Sequence, residues 1–356
     1  MFFSPSSNPK GLLKLVRLFL KPASLLLALL LVASSCQQIK QTKEIKLAHT
    51  LDMTHPVHEA MVFMAERVKE KSGGKLTIDI YPNSQLGTER ECLELLQIGS
   101  LGMTKVSAAV MEGFSPNFKV LSLPYIFKDK DHYFQVLEGD IGDDLLQQGE
   151  KYWLHGLTFY DAGSRSFYST KKPIREPRDL KGMKIRVQDS KTAIDMVQSF
   201  GGSATPVSWG ELYTGLQQGV VDGAENNAPS FFLSRHYEVA KYYTLNDHTM
   251  VPDILMISTK VWEDLTPQEK KWLTEAVEES AVVQRKLWAK AEEEALAAVT
   301  KAGIEIIRPD KEAFSKLVEP MYQGYKSEPE VYELIQRIKA AETTSSNHIN
   351  SKTSNL

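Results

Sequence analysis

KGMKIRVQDSKTAIDMVQSFGGSATPVSWGELYTGLQQGVVDGAENN, residues 181–227, decides the fold class of this chain. Met183, Ile185 and Val187 alternate with Lys184 and Arg186. A strand that buries the first three must turn Arg186 to its other face, which is either solvent or a cleft. Asp189 or Ser190 can cap the helix that follows, whose apolar positions Ile194, Met196, Val197 and Phe200 stop at Gly201 and Gly202. Strand, tight turn and helix make one α/β unit. A helix capped by Ser208-x-x-Glu211 and a strand over 219–224 continue the alternation. In open α/β sheets, ligands gather beyond the carboxyl ends of strands, where helix N-termini also favour anions. Arg186 sits at such an end.

The first half has the same style. Ile45 and Leu47 alternate in a short strand, and Thr54-His55-Pro56 opens a helix with proline in its first turn. That helix carries the stripe Ala60, Met61, Met64, Val68 and ends at Gly73-Gly74. Leu76, Ile78 and Ile80 form a second strand, and Thr88-x-x-Glu91 is a capping box for a helix from Leu93 to Ile98. This alternation predicts a parallel sheet with crossover helices. Residues 114–130, rich in proline and aromatics, read as ordered loop; a helix is expected over 131–148 and a strand over 154–160. Long helices over 266–302 carry Leu273, Val277, Ala281 and Leu287 at helical spacing. Residues 341–356 lack any apolar period and read as a disordered tail.

Residues 1–35 hold four cations and no acid, then an apolar run from Leu25 to Val32 and the small residues Ala33, Ser34 and Ser35 before Cys36. The run is far shorter than the roughly 20 residues a membrane span needs. It reads as a secretory signal. It resembles a lipoprotein signal, with Cys36 the lipidated first mature residue and 36–44 a linker, although Ala33-Ser34-Ser35 also suits ordinary signal peptidase. Removal of 1–35 leaves 321 residues and takes the net charge from −3 to −7. That length suits two domains, and that charge argues against nucleic acid as a partner. Cys92, the only other cysteine, falls at i with Leu95 and Leu96 and reads as a buried small hydrophobe.

Catalytic signatures are missing: the sequence holds no GxSxG, GxGxxG, GxxxxGK[ST], CxxC or HExxH. His55 and His58 stand three apart, too few for a zinc site, so no metal and no cofactor is expected. Asp143-Asp144 read as solvated helix surface. What remains is a set of polar residues at element ends: Arg165 after the 154–160 strand, Arg186, Asn226 after the 219–224 strand, Trp209 in the first turn of its helix, and Glu89 beside the cap Thr88. Two guanidiniums, an amide and an indole suit an anionic, hydroxylated ligand, since arginine presents a planar fork to a carboxylate and indole a flat face to a sugar-like ring. A glycosidase would instead need two carboxylates about 5–9.5 Å apart, and no such pair stands out, which leaves an exported lipoprotein enzyme acting on acidic glycans as the alternative from another class.

The chain resembles the solute receptors of tripartite ATP-independent periplasmic (TRAP) transporters, of the dicarboxylate-receptor type. The resemblance covers about residues 45–325 and rests on YPNSQLGTERECLELLQIGSLGM at 81–103, LPYIFKD at 123–129, GSR at 163–165, RDLKGMKIRV at 178–187 and TPVSWGELYTGLQQGVVDGAEN at 205–226. It implies a periplasmic-binding-protein-like α/β fold of two interleaved lobes with a ligand cleft between them: residues 45–162 plus 252–291, and 163–251 plus 292–340. It implies a receptor, not an enzyme, that closes on a small organic acid and delivers it to a small and a large membrane subunit. Arg186 falls on the family's carboxylate-binding arginine, Arg165 on its second cleft arginine, Asn226 on its cleft amide, Trp209 on its aromatic lining position, Glu89 on the acidic position of the LGxxR loop and His55 on a ligand-facing turn. Ser107 stands where sialic-acid members carry a glutamate. The expected ligand is a sugar acid such as a uronate, with a C4-dicarboxylate or keto acid as the alternative, and the expected protein is a monomer or weak dimer held outside the cytoplasm by its lipid. Whether it feeds a transporter or a sensor is open in the sequence.

Overall fold

A computed structural model describes Met1 and residues 42–341. The expected leader, Cys36 and the tail beyond residue 341 lie outside the described residues. Eleven strands among these residues form two sheets: β1 (Lys43–Ala48), β2 (Leu76–Tyr81), β3 (Met103–Ser107), β4 (Leu154–Tyr160), β5 (Arg165–Ser169), β6 (Lys184–Val187), β7 (Ser203–Pro206), β8 (Gly223–Asn226), β9 (Tyr242–Thr249), β10 (Asp253–Ser258) and β11 (Glu305–Ile307). The first sheet runs β2-β1-β3-β10-β4 and the second β11-β9-β5-β8-β6-β7. The lobes are interleaved, because β10 returns to the first sheet after the chain has built most of the second.

The sheets are mixed rather than parallel. β1–β3, β6–β7, β6–β8 and β9–β11 are parallel, but β10 is antiparallel to β3 and β4, and β5 is antiparallel to β8 and β9. The antiparallel strands are those adjoining the crossings between lobes. β4 and β9 run toward the other lobe, β5 and β10 run away from the crossing, and local periodicity carries no record of that reversal. At the first crossing Gly163 has φ +58°, and a Cβ there would lie 2.2 Å from Glu292 Oε1 and 2.8 Å from Trp288 Nε1. Only glycine fits.

Several helix ends form as the sequence implies. His55 caps helix Pro56–Lys71 through Nδ1, Thr88 and Glu91 make a full capping box on Glu89–Ile98, and Ser190, rather than Asp189, caps Lys191–Ser199. Three expectations are corrected. The 131–148 helix is two, Lys130–Leu137 and Asp140–Gln148, broken at Gly139. Ser208 makes no capping bond to backbone; its hydroxyl donates to the Glu211 carboxylate at 2.5 Å, and a short 3₁₀ turn precedes helix Leu212–Gln217. The 219–224 strand lies later, at Gly223–Asn226, so Asn226 ends it instead of following it. The 114–130 loop contains a 3₁₀ helix at Pro116–Ser122.

One helix, Pro267–Lys301, is 35 residues long, about 52 Å at 1.5 Å per residue. Its buried stripe includes Ser280, Gln284 and Trp288, two of them polar and invisible to an apolar pattern. Gln284 donates to Asp161 O at 2.7 Å and accepts from Asp161 N at 2.9 Å, clasping the first crossing. Leu273 to Trp288 belong to the core beneath the first sheet, while Val299 belongs to a core beneath the second. The helix therefore acts as a spine for both lobes. Residues 329–340, expected with the second lobe, pack in the first: Val331, Leu334, Ile335 and Ile338 join a core with Leu145, Leu154 and Ile254. Cys92 is buried, which raises its thiol to about 11.

Candidate functional site

The carboxyl ends of β1 and β3 face those of β6 and β8 across a cavity of about 300 Å³, at the small end of the range of roughly 300–1,000 Å³ for ligand sites. All six residues singled out in the sequence line it: His55, Glu89, Arg165, Arg186, Trp209 and Asn226. The alternation in β6 resolves toward the cleft. Ile185 and Val187 are fully buried in apolar packing, and Arg186, 3% exposed, points the other way into the cavity wall.

Arg186 is poorly provided for in the protein itself. Nε donates to Val207 O at 2.9 Å, and Nη1 is buried without a hydrogen-bond partner. Burial, with Arg165 nearby, lowers its pKa, yet a guanidinium remains protonated at physiological pH. Its Cζ lies 5.8 Å from the centre of the Trp209 ring. Trp209 does not stand out beyond its helix end: it is half-buried, packs on both lobes' cores, and leans on His236 at 5.2 Å.

Arg165 opens β5 and is fully engaged. Nε and Nη2 meet Glu225 Oε2 and Oε1 at 2.5 and 2.8 Å, Nη2 also donates to Glu225 O, and Nη1 donates to Asn226 Oδ1 at 2.9 Å. Glu225, missed in the sequence reading, is the residue that holds this arginine. Burial alone would raise its carboxyl, but the Arg165 charge and hydrogen bonds from His248 and Arg165 hold it at about 2. Its sequence signal was an acid inside a strand between Ala224 and Asn226, since a charge buried there requires a partner.

On the opposite wall, Glu89 accepts from Lys105 Nζ at 2.6 Å and from Ser107 N at 3.2 Å, and Lys105 also reaches Asp253 at 3.3 Å. Lys105 and Asp253 were likewise unread, hidden in strands β3 and β10 that are buried along their length. His55 Nδ1 accepts from Val57 N, so Nε2 carries the proton and donates to Ser230 Oγ at 3.3 Å, across the cleft. Burial lowers His55 to about 3, which keeps it neutral. His58 pairs with His49 at 2.9 Å and not with His55, and no group of metal-ligating residues occurs among the described residues.

The two walls are drawn together. Arg90 meets Asp189 at 3.2 Å, Ser107 Oγ meets Gln188 Oε1 at 3.4 Å, and the Glu112 carboxylate accepts from Ser190 Oγ at 2.7 Å and Thr192 N at 3.3 Å, sitting on the N-terminus of helix Lys191–Ser199. No helix among the described residues is long and apolar enough to cross a membrane.

Comparison with known proteins places these features in context. The model of the family described as bacterial extracellular solute-binding protein, family 7, matches residues 47–328. A protein of Salmonella typhimurium, uncharacterised, is 39% identical over 323 residues, covering 90% of this chain and 99% of its own. Among solved structures, a TRAP periplasmic solute-binding protein of Xanthobacter autotrophicus with bound β-D-galacturonate is 40% identical, with TM-score 0.81 over 84% of this chain and 100% of that one. Another, from Roseobacter denitrificans with bound β-D-glucuronate, is 34% identical, with TM-score 0.82 over 84% and 100%. The chain belongs to family 7 of the bacterial extracellular solute-binding proteins, the receptors of TRAP transporters.

Proposed function

We propose that this receptor binds a hexuronate or closely similar sugar acid, holds its carboxylate on Arg186, and delivers it to the small and large membrane subunits of a TRAP transporter without chemical change. The observation that carries the reading is the buried, unpartnered Nη1 of Arg186 in the cavity wall. A buried guanidinium with one backbone hydrogen bond is a costly arrangement. A carboxylate from outside offsets that cost with charge-assisted bonds contributing on the order of 1.5–3 kcal/mol each. The galacturonate and glucuronate held by the solved relatives support the ligand class.

In this reading Trp209 offers its ring face to the sugar, Asn226 hydrogen-bonds its hydroxyls, His55 Nε2 exchanges its contact with Ser230 Oγ for a sugar hydroxyl, and Arg165, fixed by Glu225, holds Asn226 in place and preserves the wall. Ligand contacts from both lobes favour the closed form by their differential affinity for it. The segment before residue 36 is the export signal and Cys36 carries a lipid that keeps the receptor at the cell envelope.

Calorimetric titration of the purified protein with D-glucuronate, D-galacturonate, succinate and pyruvate tests the assignment. Binding of a uronate in the micromolar range or tighter, with recovery of unaltered ligand after prolonged incubation, is expected. Preference for succinate or pyruvate, or consumption of the sugar acid, overturns it.

A further inference from the structure

The charges that line the cavity are not distributed evenly. Arg165 is matched by Glu225 behind it, and Arg90 by Asp189 at the rim. Arg186 forms no ion pair among the described residues, so the second-sheet wall carries one uncompensated positive charge. The first-sheet wall is the reverse. There Lys105 faces two carboxylates, Glu89 at 2.6 Å and Asp253 at 3.3 Å, with side chains 3, 12 and 12% exposed. Two acids and one ammonium leave an excess of negative charge opposite Arg186. Neutral His55 adds none.

We propose that the Glu89–Lys105–Asp253 wall makes the cavity selective for acids with a single carboxylate, taking hydroxyls on this wall and rejecting a second carboxylate there. The inference rests on Arg186 holding the ligand's acid group and adds what the other end of the ligand must be. Each carboxylate has lone pairs beyond those used by Lys105 and Ser107 N, and the ammonium has three protons of which two are engaged. Acceptors beside one spare donor suit hydroxyl groups, which both donate and accept. A second carboxylate offers only acceptors and meets like charge in a closed, water-poor space, a juxtaposition that strongly disfavours binding.

The experiment is a pair of titrations on the full-length protein: D-glucuronate against D-glucarate, in which a second carboxylate replaces the C1 end, and D-galacturonate against its diacid. Wild-type protein is expected to favour the monoacid by about 100-fold or more. Glu89→Gln and, independently, Asp253→Asn remove one negative charge with little change in shape and should narrow that ratio at least tenfold. A diacid that binds wild-type protein as tightly as the uronate overturns the proposal. So does a ratio unchanged in both variants, because exclusion by ring shape alone would survive them. If wild-type protein binds neither class, the sugar-acid reading itself fails and this inference falls with it, an outcome distinct from equal binding of both.

Discussion

Arg186→Ala should act in opposite directions on the empty and the liganded protein. In the empty protein the side chain makes one hydrogen bond, to Val207 O, and buries Nη1 unpaired. Its removal relieves a desolvation cost and loses the guanidinium's contact with the Trp209 ring, so the apo melting temperature should stay within a few degrees of wild type or rise. In the complex, truncating one partner of a buried charge pair costs roughly 2–5 kcal/mol. At about 1.4 kcal/mol per tenfold, that weakens Kd by about 30- to 4,000-fold. A ligand at 100 times its Kd stabilises wild-type protein by about 2.7 kcal/mol, roughly 4 °C for a chain of this size. At the same concentration the variant should retain less than about 1 kcal/mol of that stabilisation. Arg186→Lys keeps the charge without the planar fork and should recover only part of the affinity. Scanning fluorimetry with and without D-glucuronate, backed by calorimetry, reads both effects. A ligand-induced shift in Arg186→Ala equal to wild type would refute the reasoning.

Glu225→Gln leaves Arg165 buried without its counter-charge and should destabilise the protein by about 3–5 kcal/mol, seen as a melting temperature lower by roughly 5–7 °C; an unchanged melt contradicts the pairing. Because Glu225 sits at about 2 when folded against a reference of 4.5, its stabilisation is complete above about pH 4.5 and is lost as pH falls toward 2, a loss Glu225→Gln should abolish in acid-unfolding curves. Burial lowers His49 to about 2 and His55 and His236 to about 3. Below pH 6.5 the unfolded chain therefore takes up protons that the folded one refuses at these three sites, with burial lowering His248 and His58 as well, and stability should fall by about 1.4 kcal/mol per pH unit for each histidine held neutral. Denaturant titrations from pH 6 to pH 5 should show this slope, and His55→Gln should reduce it by about 1.4 kcal/mol per pH unit; an unaltered slope speaks against a buried neutral His55. Glu112→Ala removes a carboxylate from the N-terminus of helix Lys191–Ser199 without touching the cavity, and should weaken ligand binding several-fold by disfavouring closure; unaltered affinity and small-angle scattering would show that the contact does not help hold the lobes together.

The sequence by itself determined the α/β alternation, the helix start at Thr54-His55-Pro56, the capping box at Thr88, a cap at Asp189 or Ser190, and the two-fold choice that alternation in β6 leaves to Arg186. These features are local: a period, a cap or a turn is written in residues no more than a few positions apart. The family resemblance gave the interleaved lobes and the six cavity residues, all of which line one space. Tertiary structure alone decided which wall each belongs to and how it is held. Glu225 and Lys105 stayed hidden because each looks like an isolated charge until residues 60 and 148 positions away, Arg165 and Asp253, are brought against it. The antiparallel placement of β5 and β10, the second lobe's loss of residues 329–340 to the first core, and the polar stripe of the long helix are likewise properties of how the chain crosses between lobes. A charge's partner and a strand's direction are set by distant chain returning to the same place, and no local pattern encodes that return.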